Sequence, residues 1–109
     1  MTITLDDNNV VRYYRLMISS FGDKETEKIW NQEYSRKIPR EIQGTALRKL
    51  IMIHRSVSLA DLRIPPANRL EKLSGDREGR YSIRINDQWR ICFTWADGNA
   101  EAVNIVDYH

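Results

Sequence analysis

The sequence predicts an α+β fold, an antiparallel β-sheet with two N-terminal helices packed on one face. Residues 39–55 repeat apolar side chains at helical spacing, with Ile42, Ala46, Leu50 and Ile53 on one stripe. Residues 81–95 instead alternate strictly between apolar and polar, as a half-buried strand does. Asn86-Asp87 and Asp97-Gly98 are hairpin turn signals between such runs. A helical block followed by short strands joined by tight turns closes as a meander under a helical layer.

Taken in order, residues 1–16 show no clear period and read as an N-terminal extension, either a peripheral strand or a start-site extension. Met17-Ile18-Ser19-Ser20-Phe21 is a natural strand beginning, so the domain is expected to span 17–109. Gly22-Asp23 then breaks the chain. Asp23 is a good N-cap, and Glu25 and Glu27 suit the positive end of a first helix at about 24–35. Pro39 suits the first turn of a second helix, whose stripe is widened by Leu47 and Ile51. Ser58-Leu59-Ala60-Asp61 has the form of a capping box and predicts one more helical turn before Pro65-Pro66. A strand is expected near Leu70–Leu73. In the next two strands Tyr81, Ile83 and Ile85, then Trp89, Ile91, Phe93 and Trp95, face the core. Ser82, Arg84, Arg90, Cys92 and Thr94 face the other way, and Ala100–Val106 supplies the last strand with Val103 and Ile105 inward.

A chain of 109 residues makes one domain with a modest core. Its 41% hydrophobic and 29% charged residues are ordinary for a globular protein, and no apolar run reaches the ~18 residues of a membrane span. The N-terminus lacks a basic n-region and a long apolar stretch, so a cytoplasmic location is expected. The single cysteine, Cys92, has no partner for a disulfide and no neighbour at metal-ligand spacing, so no structural metal is expected. The net charge of +2 conceals an asymmetry: residues 34–63 hold 7 basic and 2 acidic side chains. Such a block either binds a polyanion or is a solvated helix face.

Arg84 and Arg90 are expected on one side of neighbouring strands, and Arg69, Lys72, Arg77 and Arg80 would enlarge the cationic set. Arginine grips phosphate through two parallel N–H donors and keeps its charge, so it can hold a nucleic-acid backbone and stabilise extra charge on a transition state. Arg77 could instead pair with Asp76 or Glu78, and Arg80 reads as a solvated rim charge. The terminal Asp107-Tyr108-His109 adds groups that move protons, since imidazole titrates near ~6.5 and a phenol can also stack on a base. Metal-free RNA cleavage by 2′-hydroxyl attack on the adjacent phosphate needs such parts: the 2′-hydroxyl must be deprotonated, the phosphate charge held and the 5′-oxygen protonated. A terminal histidine can equally be a loose end. His54 reads as a cap or solvated end of the second helix, Cys92 as a small sheet residue, and Trp89 and Trp95 as core.

Gly75-Asp76-Arg77-Glu78-Gly79, Ser82-Ile83-Arg84-Ile85-Asn86, Gln88-Trp89-Arg90-Ile91-Cys92-Phe93 and Asp107-Tyr108-His109 together resemble the HigB branch of the RelE/ParE toxin superfamily. The resemblance runs from Met17 to the last residue. It implies a RelE-like fold and the toxin of a bacterial type II toxin–antitoxin pair, a ribosome-dependent mRNA endonuclease that cuts in the decoding A site without a cofactor. It further implies that Arg90 stabilises the transition-state phosphate and that Asp107, Tyr108 and His109 transfer protons and position the base. Arg69, Lys72, Arg77 and Arg84 would bind the RNA phosphates, and Arg40, Arg48, Lys49 and Arg55 of the second helix would meet ribosomal RNA. The implied partner is a HigA-like helix-turn-helix antitoxin. Glu71 and Ser74 depart from the pattern, standing where other HigB-type toxins can carry His and Lys. Either Glu71 serves as a base, or the chemistry rests on the C-terminal trio and the arginines. Two other functions share this fold: ParE-like inhibition of DNA gyrase by protein contact, and ribosome binding by a decayed enzyme.

Overall fold

The computed structural model describes residues 2–5, 11–14, 18–75 and 79–108, the first two segments by their backbone alone. Strands β1 (Thr2–Leu5) and β2 (Val11–Tyr14) pair antiparallel as a separate two-stranded sheet. The described residues of the extension thus form a strand pair of their own. Ile18 and Phe21 make isolated parallel bridges to Ala100 and Val103, so the segment runs strand-like beside the last strand; Met17, the expected start, lies outside the described residues. Gly22 is required by this approach, because a Cβ there would lie 3.0 Å from the Ala102 carbonyl oxygen and 3.1 Å from the Asn104 Cβ.

Helix α1 is Lys24–Trp30, capped by the Asp23 carboxylate, which accepts from the Thr26 N–H at 2.6 Å. It stops well short of residue 35. Gln32 turns left-handed (φ 61°) and the Glu33 N–H closes back on the Lys28 carbonyl at 2.8 Å, a helix end made without the glycine that usually announces it. Ser35 is buried, donates to Glu25 at 2.7 Å and keeps that carboxyl below its ordinary pKa. The Gln43 amide bonds the Ser35 and Ile38 carbonyls at 2.8 Å each, locking the loop to α2.

Helix α2, Arg40–Arg55, buries the predicted stripe of Ile42, Ala46, Leu50 and Ile53. Leu47 and Met52 widen it; Ile51, expected there, instead lines a cleft with Arg48 and Arg55. A 3-10 helix, Leu59–Arg63, follows in place of an α-turn, with the Asp61 carboxylate accepting from the Val57 and Ser58 N–H groups. A second 3-10 turn, Pro66–Asn68, is foreshadowed by no periodicity in the sequence.

The main sheet is a meander in the order β3 (Glu71–Lys72), β4 (Arg80–Arg84), β5 (Trp89–Ala96) and β6 (Asn99–Asp107). The Asn86 side chain accepts from the Gln88 and Trp89 N–H groups and forms the β4–β5 turn. Asp97 and Gly98 both take positive φ in the β5–β6 hairpin, as an Asp-Gly turn demands. A bulge at Ala102 (φ 50°) shifts the β5–β6 register between Cys92 and Thr94.

The inner face buries Ile83, Ile85, Ile91, Phe93, Val103 and Ile105 against α1, α2 and Leu62. Tyr81, Trp89 and Trp95 pack against this core as half-buried margins. The Thr26 hydroxyl accepts from the Ile105 N–H at 2.9 Å and ties α1 to the sheet. The outer face departs from expectation, because its centre is not open to water: Ser82, Arg90 and Cys92 are all buried.

Candidate active site

Cross-strand register gathers the outer face. Arg90 on β5 stands between Arg84 on β4 and Val106 on β6, while Ser82 is paired with Glu71 and Cys92 one row away. Arg84 and Arg90 are therefore neighbours on one face, as alternation predicts. Their states differ. Arg84 is ion-paired with Asp87, which is 98% exposed, so the pair is a solvated rim contact. Arg90 is only 7% exposed, and a charge so buried persists only with its donors satisfied.

Its donors are met by a frame. The Nε–H donates to the Ser82 hydroxyl at 2.8 Å, and Nη2 donates to the Arg69 carbonyl at 2.6 Å and the Ser82 carbonyl at 3.3 Å. The Tyr108 ring lies against the guanidinium, its centroid 5.5 Å from Cζ. Nη1 is turned to the Glu71 carboxylate at 3.9 Å, and Glu71 is half exposed. Because a guanidinium is planar, pinning Nε and Nη2 fixes the direction of Nη1. The frame thus aims one charged edge at the side where a carboxylate and a phenol ring are gathered.

The other predicted residues divide. Tyr108 joins the site and its N–H donates to the Gln88 carbonyl at 2.6 Å. Asp107 is the cross-strand partner of Trp89, not of Arg90, so it belongs to the opposite face; its carboxylate accepts from the Gln88 amide at 3.1 Å. Lys72 pairs with Tyr81 and so falls in the row of the inner face, away from Arg90. Arg69 exposes its side chain while its carbonyl reaches Arg90. Arg80 is no free rim charge: it spans the outer face to Thr94 at 3.2 Å and Asn104 at 2.9 Å. Arg77 and His109 lie outside the described residues.

On α2, Arg40, Arg48 and Arg55 are exposed. Lys49 is not a surface cation of the same kind, because it donates to Asn68 and burial, with Arg48 and Arg84 nearby, lowers its pKa. His54 neither caps nor solvates the helix end. Its ring lies 5.0 Å from that of Trp30, its buried Nδ1 has no hydrogen-bond partner among the described residues, and burial and Arg55 lower its pKa. Among the described residues no group of three His, Cys, Asp or Glu side chains could hold a metal ion, and no helix is long and apolar enough to cross a membrane.

Sequence reasoning passed over Ser82 and Asn68. Ser82 was legible only as an outward residue; Asn68 follows a Pro-Pro-Ala run, a turn signal that could have marked it.

A family model described as the RelE-like toxin of type II toxin–antitoxin system HigB matches residues 19–109. Toxin HigB-1 of Vibrio cholerae is 41% identical over 85 residues, covering 77% of this chain and 90% of that protein. Endoribonuclease HigB of Proteus vulgaris is 30% identical over 93 residues, covering 85% and 100%. Among solved structures, a YoeB–YefM complex from Staphylococcus aureus superposes with a TM-score of 0.55 at 26% identity, over 88% of this chain and 99% of that one. The matched region includes every element from α1 onward and leaves out β1 and β2.

Proposed function

The chain belongs to the RelE-like HigB toxins of type II toxin–antitoxin systems, and from that premise we propose that it is a cytoplasmic endoribonuclease that cuts messenger RNA in the A site of the translating ribosome. The observation that carries the reading is the buried Arg90, held by Ser82 and the Arg69 carbonyl with Nη1 turned toward Glu71, the side on which a phosphate would be met.

The reaction is attack of a ribose 2′-hydroxyl on its own 3′-phosphate. The hydroxyl proton passes to a base, the O2′–P bond forms, the P–O5′ bond breaks, and the leaving 5′-oxygen takes up a proton, giving a 2′,3′-cyclic phosphate and a 5′-hydroxyl end. Arg90 Nη1 holds the charge that grows on the phosphate. Glu71 is the carboxylate of this site best placed to act as base, and Tyr108 braces Arg90 and offers a face to a splayed nucleobase. His109 completes the proton transfers, and Asp107 supports the C-terminal turn through Gln88. Arg84 can exchange Asp87 for an RNA phosphate, and the cationic side chains of Arg69 and Arg77 add to that binding. Arg40, Arg48 and Arg55 face ribosomal RNA. Residues 17–109 form the toxin domain and 1–16 an appendage to it. The partner is a HigA-like helix-turn-helix antitoxin, a reading supported by the structural neighbour YoeB, which was itself solved in complex with YefM.

The test is to induce the protein and its Arg90→Ala variant and to map 5′ ends on translated and untranslated messages. New ends confined to translated messages and lost in the variant are expected. Growth arrest with intact mRNA and blocked supercoiling would instead place the chain with the gyrase-binding toxins, and ribosome binding without cleavage would mark a decayed enzyme.

A further inference from the structure

We infer that Arg69 serves the reaction through its main chain, as a positioning residue whose carbonyl, set by a left-handed turn that Asn68 locks, aims Arg90. The inference rests on the role proposed for Arg90 and reassigns Arg69, which its charge alone marks as a phosphate binder.

The geometry begins at Asn68, fully buried although polar. Its amide nitrogen donates to the Leu62 carbonyl at 3.1 Å and approaches the Met52 Sδ at 3.0 Å, while its oxygen accepts from Lys49. One side chain thus joins α2, the Leu59–Arg63 3-10 helix and the turn that contains it. Two main-chain bonds tighten that turn, from the Asn68 N–H to the Pro65 carbonyl at 2.9 Å and from the Arg69 N–H to the Pro66 carbonyl at 3.1 Å. Arg69 itself sits at φ 44°, ψ 57°, a conformation that glycine and asparagine accept readily and β-branched residues resist. From there its carbonyl accepts the Arg90 Nη2 bond at 2.6 Å, while its own side chain is exposed.

The energetic logic is one of direction. Nη2 bonded to a carbonyl on a locked turn, and Nε bonded to Ser82, leave the guanidinium no free rotation about its plane. If the carbonyl swings away, Nη2 is left short of an acceptor in a buried site and the guanidinium tilts to find another. A misplacement of about 1 Å can cost roughly 100-fold in rate.

Arg69→Gly, Arg69→Asn and Arg69→Val all remove the guanidinium but differ in their tolerance of the left-handed turn. Cleavage of a ribosome-bound message is measured at saturating toxin, together with the toxin concentration for half-saturation and the melting temperature. The three variants should share a raised half-saturation point. Arg69→Val should cleave roughly tenfold or more slowly than Arg69→Gly at saturation, with Arg69→Asn grouping with glycine. Equal saturating rates for all three, with Arg90→Ala inactive, would overturn the inference while leaving the role of Arg90 intact. Wild-type cleavage by Arg90→Ala would instead remove the premise. Should Arg69→Val fail to fold, Asn68→Ala supplies the second arm: it keeps the Arg69 side chain, and an undiminished saturating rate in the folded variant overturns the inference.

Discussion

At the scale of single residues, the molecule separates a charge held in a frame from charges left at the rim. Arg90 is framed and buried, whereas Arg84 holds a solvent-exposed aspartate, and the two stand side by side in the same row. His54 is a different case, a titratable ring stored neutral against Trp30. Its pKa is lowered in the fold, so the unfolded chain binds the proton more tightly. The stability that follows is complete above the ordinary histidine value of ~6.5 and is lost as pH falls through the lower folded value. Replacing His54 with Phe should flatten the decline of the melting temperature as pH falls below the ordinary histidine value of ~6.5 in a series of thermal melts. The facing of Arg84 and Arg90 was legible because a strand has period two. The same parity, followed from Val103 through Ile105, also puts Asp107 on the inner side, a signal the family motif obscured. The burial of Arg90 was not legible, since it comes from a turn whose carbonyl lies 21 residues away in the chain.

At the scale of elements, legibility followed regularity. The stripe of α2 was plain over sixteen residues, and its buried members are those the period names. Leu50, fully buried at the middle of that stripe, should cost about 2–5 kcal/mol when cut to alanine, read as a fall in the denaturation midpoint with an unchanged slope. The short elements misled. β3 is two residues long, too brief to show an alternation, so nothing in the sequence revealed that Lys72 falls in the row of the inner face. α1 ended early because Gln32, not a glycine, took the left-handed position. The 3-10 turn at Pro66–Asn68 left no period at all; its place was marked only by prolines, and its purpose only by the carbonyl that follows it.

At the scale of the whole molecule, two layers divide the labour. The helical layer presents Arg40, Arg48 and Arg55 to solvent, and the outer face of the sheet holds the proposed chemistry. The burial of Arg90 then has a consequence in the language of ionic strength. Exposed arginines that meet RNA release condensed counterions, so association should weaken steeply as salt is raised. A guanidinium sealed beneath Ser82, the Arg69 carbonyl and Tyr108 is little reached by mobile ions, whose screening acts over ~8 Å in open solvent. In a salt titration from about 50 to 200 mM, the half-saturating toxin concentration should climb by tenfold or more while the cleavage rate of the bound complex stays within about twofold. Docking would be tuned by the medium and cutting would not, so salt becomes a means of separating the arrival of the toxin from its act.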